Sequence, residues 1–469
     1  MRLLFSPRGL AGKTEMLGEV PSGRELYGGF LKMAWPAMLE SLLLSLVNVV
    51  DSIMVSSCGT NAVAAVGLTN QPRMLFFAVF FSLSVSVTAI VARRRGQNDR
   101  EGANACLSQA LGVCFALIAV LFTVSMFVSE PLLDLAGAKP ETIVDATRYF
   151  RITMAGLMFT AVGMTINAAQ RGSGNTKIAM RSNAVANITN IIFNYLLING
   201  VWFFPELGIT GAAIATLLGN IAAFIMSVSS LFGGDKFLSN KKINIFRWDK
   251  NQLATIGRIA SGAGVEQLFM RFGFFIYSVI VANLGTAEIA THTICMNIQT
   301  LSLAFGDGLS VAASALIGQN LGRKRPDLAT LYAKAGQRMG ISMSVILILV
   351  FTLLGGPIML LFLKEGDVNY DYVYTTGRNI LFIIAAVAPA LISQVIFNGS
   401  LRGAGDTKYV AITSAVSIAV FRPVTAYILC YTCELGLYGA WISLLIDQYM
   451  RLAFSAYRFG TGKWAKVKI

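Results

Sequence analysis

Long apolar runs, each closed by a short polar or glycine-containing stretch, recur from residue 31 to residue 457. Each run exceeds the roughly 20 residues that a helix needs to cross a ~30 Å hydrocarbon core. The pattern predicts helices over Leu31–Val55, Leu68–Ala92, Ala103–Ser129, Ile143–Ala169, Ile178–Ile198 and Thr210–Phe232. A second set follows over Leu253–Ala282, Thr293–Ile317, Ala335–Phe362, Val373–Phe397, Tyr409–Cys430 and Leu437–Tyr457. A transmembrane barrel would show short segments alternating apolar with polar residues, and these runs do not alternate. The expectation is an all-α membrane protein of twelve transmembrane helices.

The chain also repeats itself. At a shift of 226 residues Glu40 falls on Glu266, Gly59-Thr60 on Gly285-Thr286, and Leu83-Ser84-Val85 on Leu309-Ser310-Val311. At 231, Asn167 meets Asn398, and Arg171-Gly172-x-Gly174-x-Thr176-Lys177 meets Arg402-Gly403-x-Gly405-x-Thr407-Lys408. At 228, Leu207-Gly208 and Gly211-Ala212 meet Leu435-Gly436 and Gly439-Ala440. Matches in one order across six helices imply two homologous halves. Six spans per half insert both halves the same way up, so the predicted architecture is two six-helix lobes related by a pseudo-two-fold along the membrane normal. The expected organisation is a tail at 1–27, a lobe at 28–232, a linker at 233–251, a second lobe at 252–459 and a tail at 460–469.

Composition supports this reading: 55% of residues are apolar and 13% are charged, against about 25% charged in a soluble domain. The net charge of +14 raises the question of nucleic acid, which its distribution excludes. Most Lys and Arg residues fall in the tails, at Arg93–Arg100, Arg171–Arg181, Gly233–Arg258, Arg323–Arg338 and Arg402–Lys408. The opposite loops carry only Lys139 and Lys364, with Arg148 and Arg151 at a nearby helix start. This is the positive-inside asymmetry, and it predicts that both termini lie in the cytoplasm. Residues 1–27 lack the apolar core of a cleavable signal. The six cysteines are scattered and read as small apolar residues; Cys430 and Cys433 alone share a metal-like spacing, with no second pair.

Ordered along the chain, Pro36, Val49-Val50-Asp51, Ala92-Arg93-Arg94-Arg95-Gly96, Gln170-Arg171-Gly172-x-Gly174-x-Thr176 and Gly208-x-x-Gly211 mark the first half. Gly318-Gln319-Asn320-x-Gly322 and Leu401-Arg402-Gly403-x-Gly405-Asp406-Thr407 mark the second. With this set, residues 28–464 resemble the multidrug and toxic compound extrusion (MATE) family. The end of the chain, Asp447 through Arg451 to Gly462-Lys463-Trp464, looks like its bacterial DinF-like branch. The resemblance implies export of amphipathic, often cationic compounds in exchange for inward protons or sodium ions, with no cofactor, by a chain expected to be a monomer. It also implies that the two RG-x-G-x-T segments are structural turns. Their Gly residues would permit the turn, and their Arg and Lys would anchor at the headgroups. A phosphate-cradling loop is the alternative, but neither copy has the spacing or a preceding strand.

Ionisable residues at membrane depth are costly and therefore functional candidates. Asp51 leads. Glu40 lies 11 residues earlier, almost three turns, so the two share a face ~16 Å apart with Leu44, Val47 and Asn48 between them. In the fifth helix Asn183, Asn187, Asn190 and Asn194 form a stripe at i, i+4, i+7 and i+11, which must face protein or water. The family resemblance places a cation site at the first-helix Asp and the fifth-helix polar residues. The expected coupling residues are Asp51, Asn48, Asn187, Asn190 and Asn194, with sodium at Asp51, Asn190 and Asn194. Several relatives carry an Asp where this chain has Asn194, so the site here holds one negative charge fewer. Helix–helix contact is the alternative for the stripe.

The second half has no Asp opposite Asp51; the repeat places Tyr277 there. Glu40, Glu266 and Asp307 are the candidates for drawing a cationic substrate, Glu266 being equally suited to a buried ion pair. Asp447 and Arg451, at i and i+4, read as a structural pair. Arg73, Arg271 and Arg422 need counter-ions that the sequence does not name. His292, the single histidine, reads as an interfacial residue near an outer helix end. Phe and Met residues should supply an adaptable apolar lining. A flippase for lipid-linked precursors remains the alternative function. An enzyme is disfavoured, because one His and six scattered Cys supply neither a metal cluster nor a nucleophile–base pair.

Overall fold

The computed structural model describes residues 16–136, 138, 140–202, 204–232, 237–239, 248–363 and 369–467, excluding the side chains at 48, 49, 52, 60 and 61. Lys139, Lys364 and most of the 233–251 linker lie outside the described residues. The first half comprises α1 (Gly23–Ser56), α2 (Thr60–Gly96), α3 (Arg100–Leu135), α4 (Ile143–Ser173), α5 (Thr176–Asn199) and α6 (Gly208–Ser229). The second comprises α7 (Lys250–Ala282), α8 (Thr286–Gly322), α9 (Pro326–Leu353), α10 (Tyr370–Gly403), α11 (Thr407–Thr432) and α12 (Gly436–Gly460), with a one-turn helix Gly355–Leu360 after α9.

The starts of α1 and α3 are capped by side chains. Before α1, Ser22 and Glu25 cap one another: Ser22 N donates to Glu25 Oε2 at 2.9 Å and Glu25 N to Ser22 Oγ at 3.3 Å. At α3, Asp99 Oδ1 accepts from Gly102 N at 2.8 Å.

Among the described residues, ten of these twelve helices are long and apolar enough to cross a membrane. The other two, α5 and α12, are 24 and 25 residues long. Their polar residues turn inward: Asn187, Asn190 and Asn194 of α5 and Asp447, Gln448 and Arg451 of α12 are buried. Such side chains belong among protein partners rather than in lipid.

The chain forms two compact units, residues Leu39–Gly264 and residues Met1–Met38 with Val265–Ile469. The first turns of α1 therefore pack with the second-half helices, and the first turns of α7 with the first-half helices. The division falls within α1 and α7 rather than in the 233–251 segment.

Packing repeats as the sequence does. The RG-x-G-x-T turns close through Gly174 and Gly405 at φ +97° and +87°, left-handed values that glycine adopts without strain. The glycine after each arginine sets a close helix contact. A Cβ on Gly172 would sit 2.7 Å from the Thr88 carbonyl oxygen, and one on Gly403 2.1 Å from that of Ser314. Asn167 Oδ1 accepts from Ser227 at 3.2 Å, and Asn398 Oδ1 from Ser455 at 2.8 Å. Gly403→Ala should therefore cost about 1–3 kcal/mol, seen as a lower unfolding midpoint in detergent. Gly28→Ala, with nothing within 4 Å of the new Cβ, is the neutral control.

Candidate ion-coupling site

Within the first unit, α1 and α5 run parallel in constant register. Asn183 Nδ2 donates to Glu40 Oε1 at 2.6 Å, and Asn194 Nδ2 donates to Asp51 Oδ1 at 2.7 Å, each pair 143 positions apart. The two ends of the asparagine stripe therefore meet Glu40 and Asp51 of α1.

At the Asp51 end the polar chain continues. Asn194 Nδ2 also donates to Asn190 Oδ1 at 3.2 Å, Asn190 Nδ2 to Thr216 Oγ1 of α6 at 3.3 Å, and Thr216 Oγ1 to the Ala212 carbonyl at 3.0 Å. The charge of Arg73 acts on Asp51, while its Nη2 donates to Asn70 Oδ1 at 3.1 Å. The Tyr149 side chain lies in the same electrostatic neighbourhood. Asp51 is half-buried; Asn190 and Asn194 are buried, and Asn194 Oδ1 has no hydrogen-bond partner among the described residues.

The chemistry of this donor set suits a monovalent cation. It offers one carboxylate, amide oxygens and a threonine hydroxyl, and the described residues hold no group of three His, Cys, Asp or Glu side chains placed for a metal. Asn194 presents its NH₂ to Asp51, so its carbonyl would face a sodium ion only after the amide turns over. A proton on Asp51 needs no such turn.

Asn187 is buried between the two clusters, its Nδ2 without a hydrogen-bond partner among the described residues, and it joins neither. The Asn48 side chain lies outside the described residues.

The other two α1 and α7 carboxylates are matched inside their own units. Arg171 Nη1 lies 3.0 Å from Glu40 Oε1 in the first unit, and Arg402 Nη2 lies 2.5 Å from Glu266 Oε1 in the second. Ser414, the counterpart of Asn183 at a shift of 231, donates to Glu266 Oε1 at 3.4 Å. The RG-x-G-x-T arginines thus hold helix carboxylates, where the sequence placed them at headgroups. Residues 131 and 136 positions apart meet, which no local spacing announces. Asp307 differs: it is exposed along α8.

The second unit buries a charge cluster where the repeat lacks an Asp51. Arg422 donates to Asp447 Oδ2 through Nε at 3.0 Å and through Nη2. Arg451 Nη2 lies 3.3 Å from the same oxygen, and Ser417 Oγ donates to Oδ1. Ser417 lies within a π-helical stretch, Ala415–Phe421, and Arg422, five residues on, stands at its end. An α-helix would turn them ~140° apart, and the wider π turn brings both toward Asp447. Asp447 is therefore the counter-ion of Arg422.

Arg422 also lies over the Phe274 and Tyr277 rings, 5.1 and 5.8 Å from their centroids. Tyr277 OH donates to the Ala440 carbonyl at 2.9 Å. His292 packs between Tyr277 and Trp441, with centroids 5.6 and 5.5 Å away, and is buried. The interfacial reading of His292 is corrected by this placement: α8 begins at Thr286 and turns the imidazole inward. Arg271 is half-buried on α7.

The family model described as MatE matches residues 36–196 and 263–428, one block in each half. The chain belongs to the MatE family. It is 26% identical over 451 residues to a probable multidrug resistance protein NorM of Thermotoga maritima, covering 96% of this chain and 94% of that one. It is also 26% identical over 385 residues to the multidrug resistance protein PmpM of Pseudomonas aeruginosa, covering 81% and 78%. In fold it matches an outward-facing multidrug resistance MATE family transporter of the MOP superfamily at TM-score 0.86 and 21% identity, covering 95% of this chain and all of that one. A MOP superfamily transporter from Pyrococcus furiosus, described as having a binding pocket of reverse polarity, matches at TM-score 0.85 and 21% identity, covering 96% and 100%. This MatE chain is a multi-pass membrane transporter of small molecules and not an enzyme.

Proposed function

We propose that this chain is a secondary active antiporter that exports amphipathic, often cationic drugs or metabolites in exchange for inward protons or sodium ions by alternating access. The observation that carries the ion-coupled reading is the half-buried Asp51 carboxylate, met by the Asn194 amide at 2.7 Å in the span of a membrane helix. A charge at that depth is retained at a cost that function repays. Asp51 is the ion-binding carboxylate, with Asn190 and Asn194 its polar shell. Glu40 and Glu266 are charge-matched by Arg171 and Arg402, so they fasten helices rather than attract substrate. The basic segments set the orientation, with both termini in the cytoplasm of a bacterial inner membrane, and the chain acts as a monomer.

The test is efflux of a cationic dye from proteoliposomes under separately imposed pH and sodium gradients. An inward gradient of one of these ions is expected to accelerate efflux above the downhill rate. Equal rates with and without both gradients would rule out antiport.

A further inference from the structure

Within the first unit, two arginines stand at the end where basic residues are otherwise sparse. Arg93–Arg95 and Arg171 gather where α2 and α4 finish and α3 begins. Arg148 and Arg151 lie at the opposite end, in the first nine residues of α4. The rule that places basic residues at the cytoplasmic end does not account for them. The second half repeats the helix but not the pair: at a shift of 231, Asn379 and Phe382 take their positions.

The helices α3 and α4 have 36 and 31 residues and run to about 54 and 46 Å, well beyond ~30 Å of hydrocarbon. The end of α3 and the start of α4 therefore reach headgroup level. A cavity of about 390 Å³ there is lined by Glu130 of α3 and by Thr147, Arg148, Arg151 and Ile152 of α4. Arg151 Nε donates to Ser129 Oγ at 2.9 Å, which fixes the guanidinium and leaves its two Nη groups for a ligand. Arg148 lies one turn away, and neither it nor Glu130 makes an ion pair among the described residues. The Thr147 hydroxyl is buried without a hydrogen-bond partner among the described residues.

These groups are layered as a phospholipid is. Toward the end of α3, exposed Val120, Val124 and Phe127 are followed by exposed Glu130 and Asp134. Spacings of 4, 3, 3 and 4 keep them on one face. On α4, exposed Asp145 stands nearest the helix start, with Arg148 and Arg151 about 4 and 9 Å deeper. From the helix ends inward the order is carboxylates, guanidiniums, then an apolar strip. An ethanolamine phospholipid presents ammonium, phosphate and acyl chains in that order. Arginine forks match phosphate oxygens, and basic pockets between membrane helices hold lipid headgroups. A headgroup with negative charge alone would leave Glu130 facing it unmatched.

We infer that the cavity between the end of α3 and the start of α4 binds the phosphoethanolamine headgroup of a membrane phospholipid. Arg148, Arg151 and the Thr147 hydroxyl take the phosphate, and Glu130 takes the ammonium. The acyl chains lie along Val120, Val124 and Phe127.

The experiment is native mass spectrometry of the purified full chain in detergent, titrated with phosphatidylethanolamine, phosphatidylglycerol or phosphatidylcholine of identical acyl chains. Free O-phosphoethanolamine is the fourth probe. Phosphatidylcholine keeps both charges, but its quaternary ammonium donates no hydrogen bond to Glu130. The wild type should bind a first phosphatidylethanolamine about tenfold or more tightly than any other probe. Arg148→Gln should weaken that binding about tenfold or more. Glu130→Gln should leave phosphatidylethanolamine no more than about threefold ahead of phosphatidylglycerol, because only the ammonium contact is lost. Neither side chain holds a partner among the described residues whose loss would unfold the chain. Wild-type affinity in Arg148→Gln, or the wild-type preference in Glu130→Gln, overturns the site. Phosphatidylglycerol bound as tightly as phosphatidylethanolamine by the wild type overturns the headgroup. Free phosphoethanolamine bound as tightly as the lipid makes the ligand a soluble phosphate ester and overturns the lipid assignment.

Discussion

Asp51→Asn is expected to cut ion-driven efflux by about 5- to 150-fold, the span of a coupling free energy of ~1–3 kcal/mol between two ligand sites. The substituted amide has nearly the shape of the carboxylate and can still meet Asn194 of α5, so the helix contact survives. It cannot take up a proton or balance a sodium ion, so the link to the gradient is lost. The measurement is dye efflux from proteoliposomes with and without an imposed ion gradient, alongside the unfolding midpoint of the same preparation. Ion-driven efflux at the wild-type rate would remove Asp51 from the mechanism. A large drop in the midpoint would recast it as a structural residue.

The largest stability effect is expected at Asp447. Its carboxylate is fully buried between Arg422 and Arg451, so Asp447→Asn leaves two guanidinium groups in the second unit without their common partner. Removing one member of a buried charge group costs about 3–5 kcal/mol, or roughly 6–20 °C in the midpoint at ~2–4 °C per kcal/mol. Arg451→Gln should cost less, because the remaining Arg422–Asp447 pair is neutral. Equal losses for the two variants would show that volume, rather than charge balance, governs the cluster.

What the sequence made legible followed from periodicity. Apolar runs of membrane length located the helices, and the RG-x-G-x-T repeat located matching turns at Gly174 and Gly405. The asparagine stripe of α5 was readable because four amides at helical spacing stand out against an apolar background. Its register against α1 was not, because nothing local says that Asn183 meets Glu40 or that Asn194 meets Asp51.

Ion pairs between distant helices were hidden for the same reason. Glu40 and Glu266 read as candidates for drawing a cationic substrate, Glu266 equally as one half of a buried ion pair, and nothing local names Arg171 and Arg402 as their partners. Arg422 had no visible counter-ion because the π-helical turn that aims it at Asp447 changes the helical period by which faces are counted.

Antiport requires that the ion held at Asp51 leave when the transported compound binds. Its most direct test is the release of bound ion when substrate is added to the purified chain in a weakly buffered solution without a gradient. The wild type should release close to one proton or one sodium ion per substrate bound, and Asp51→Asn should release none. The same stoichiometry from both proteins would place the coupling ion elsewhere.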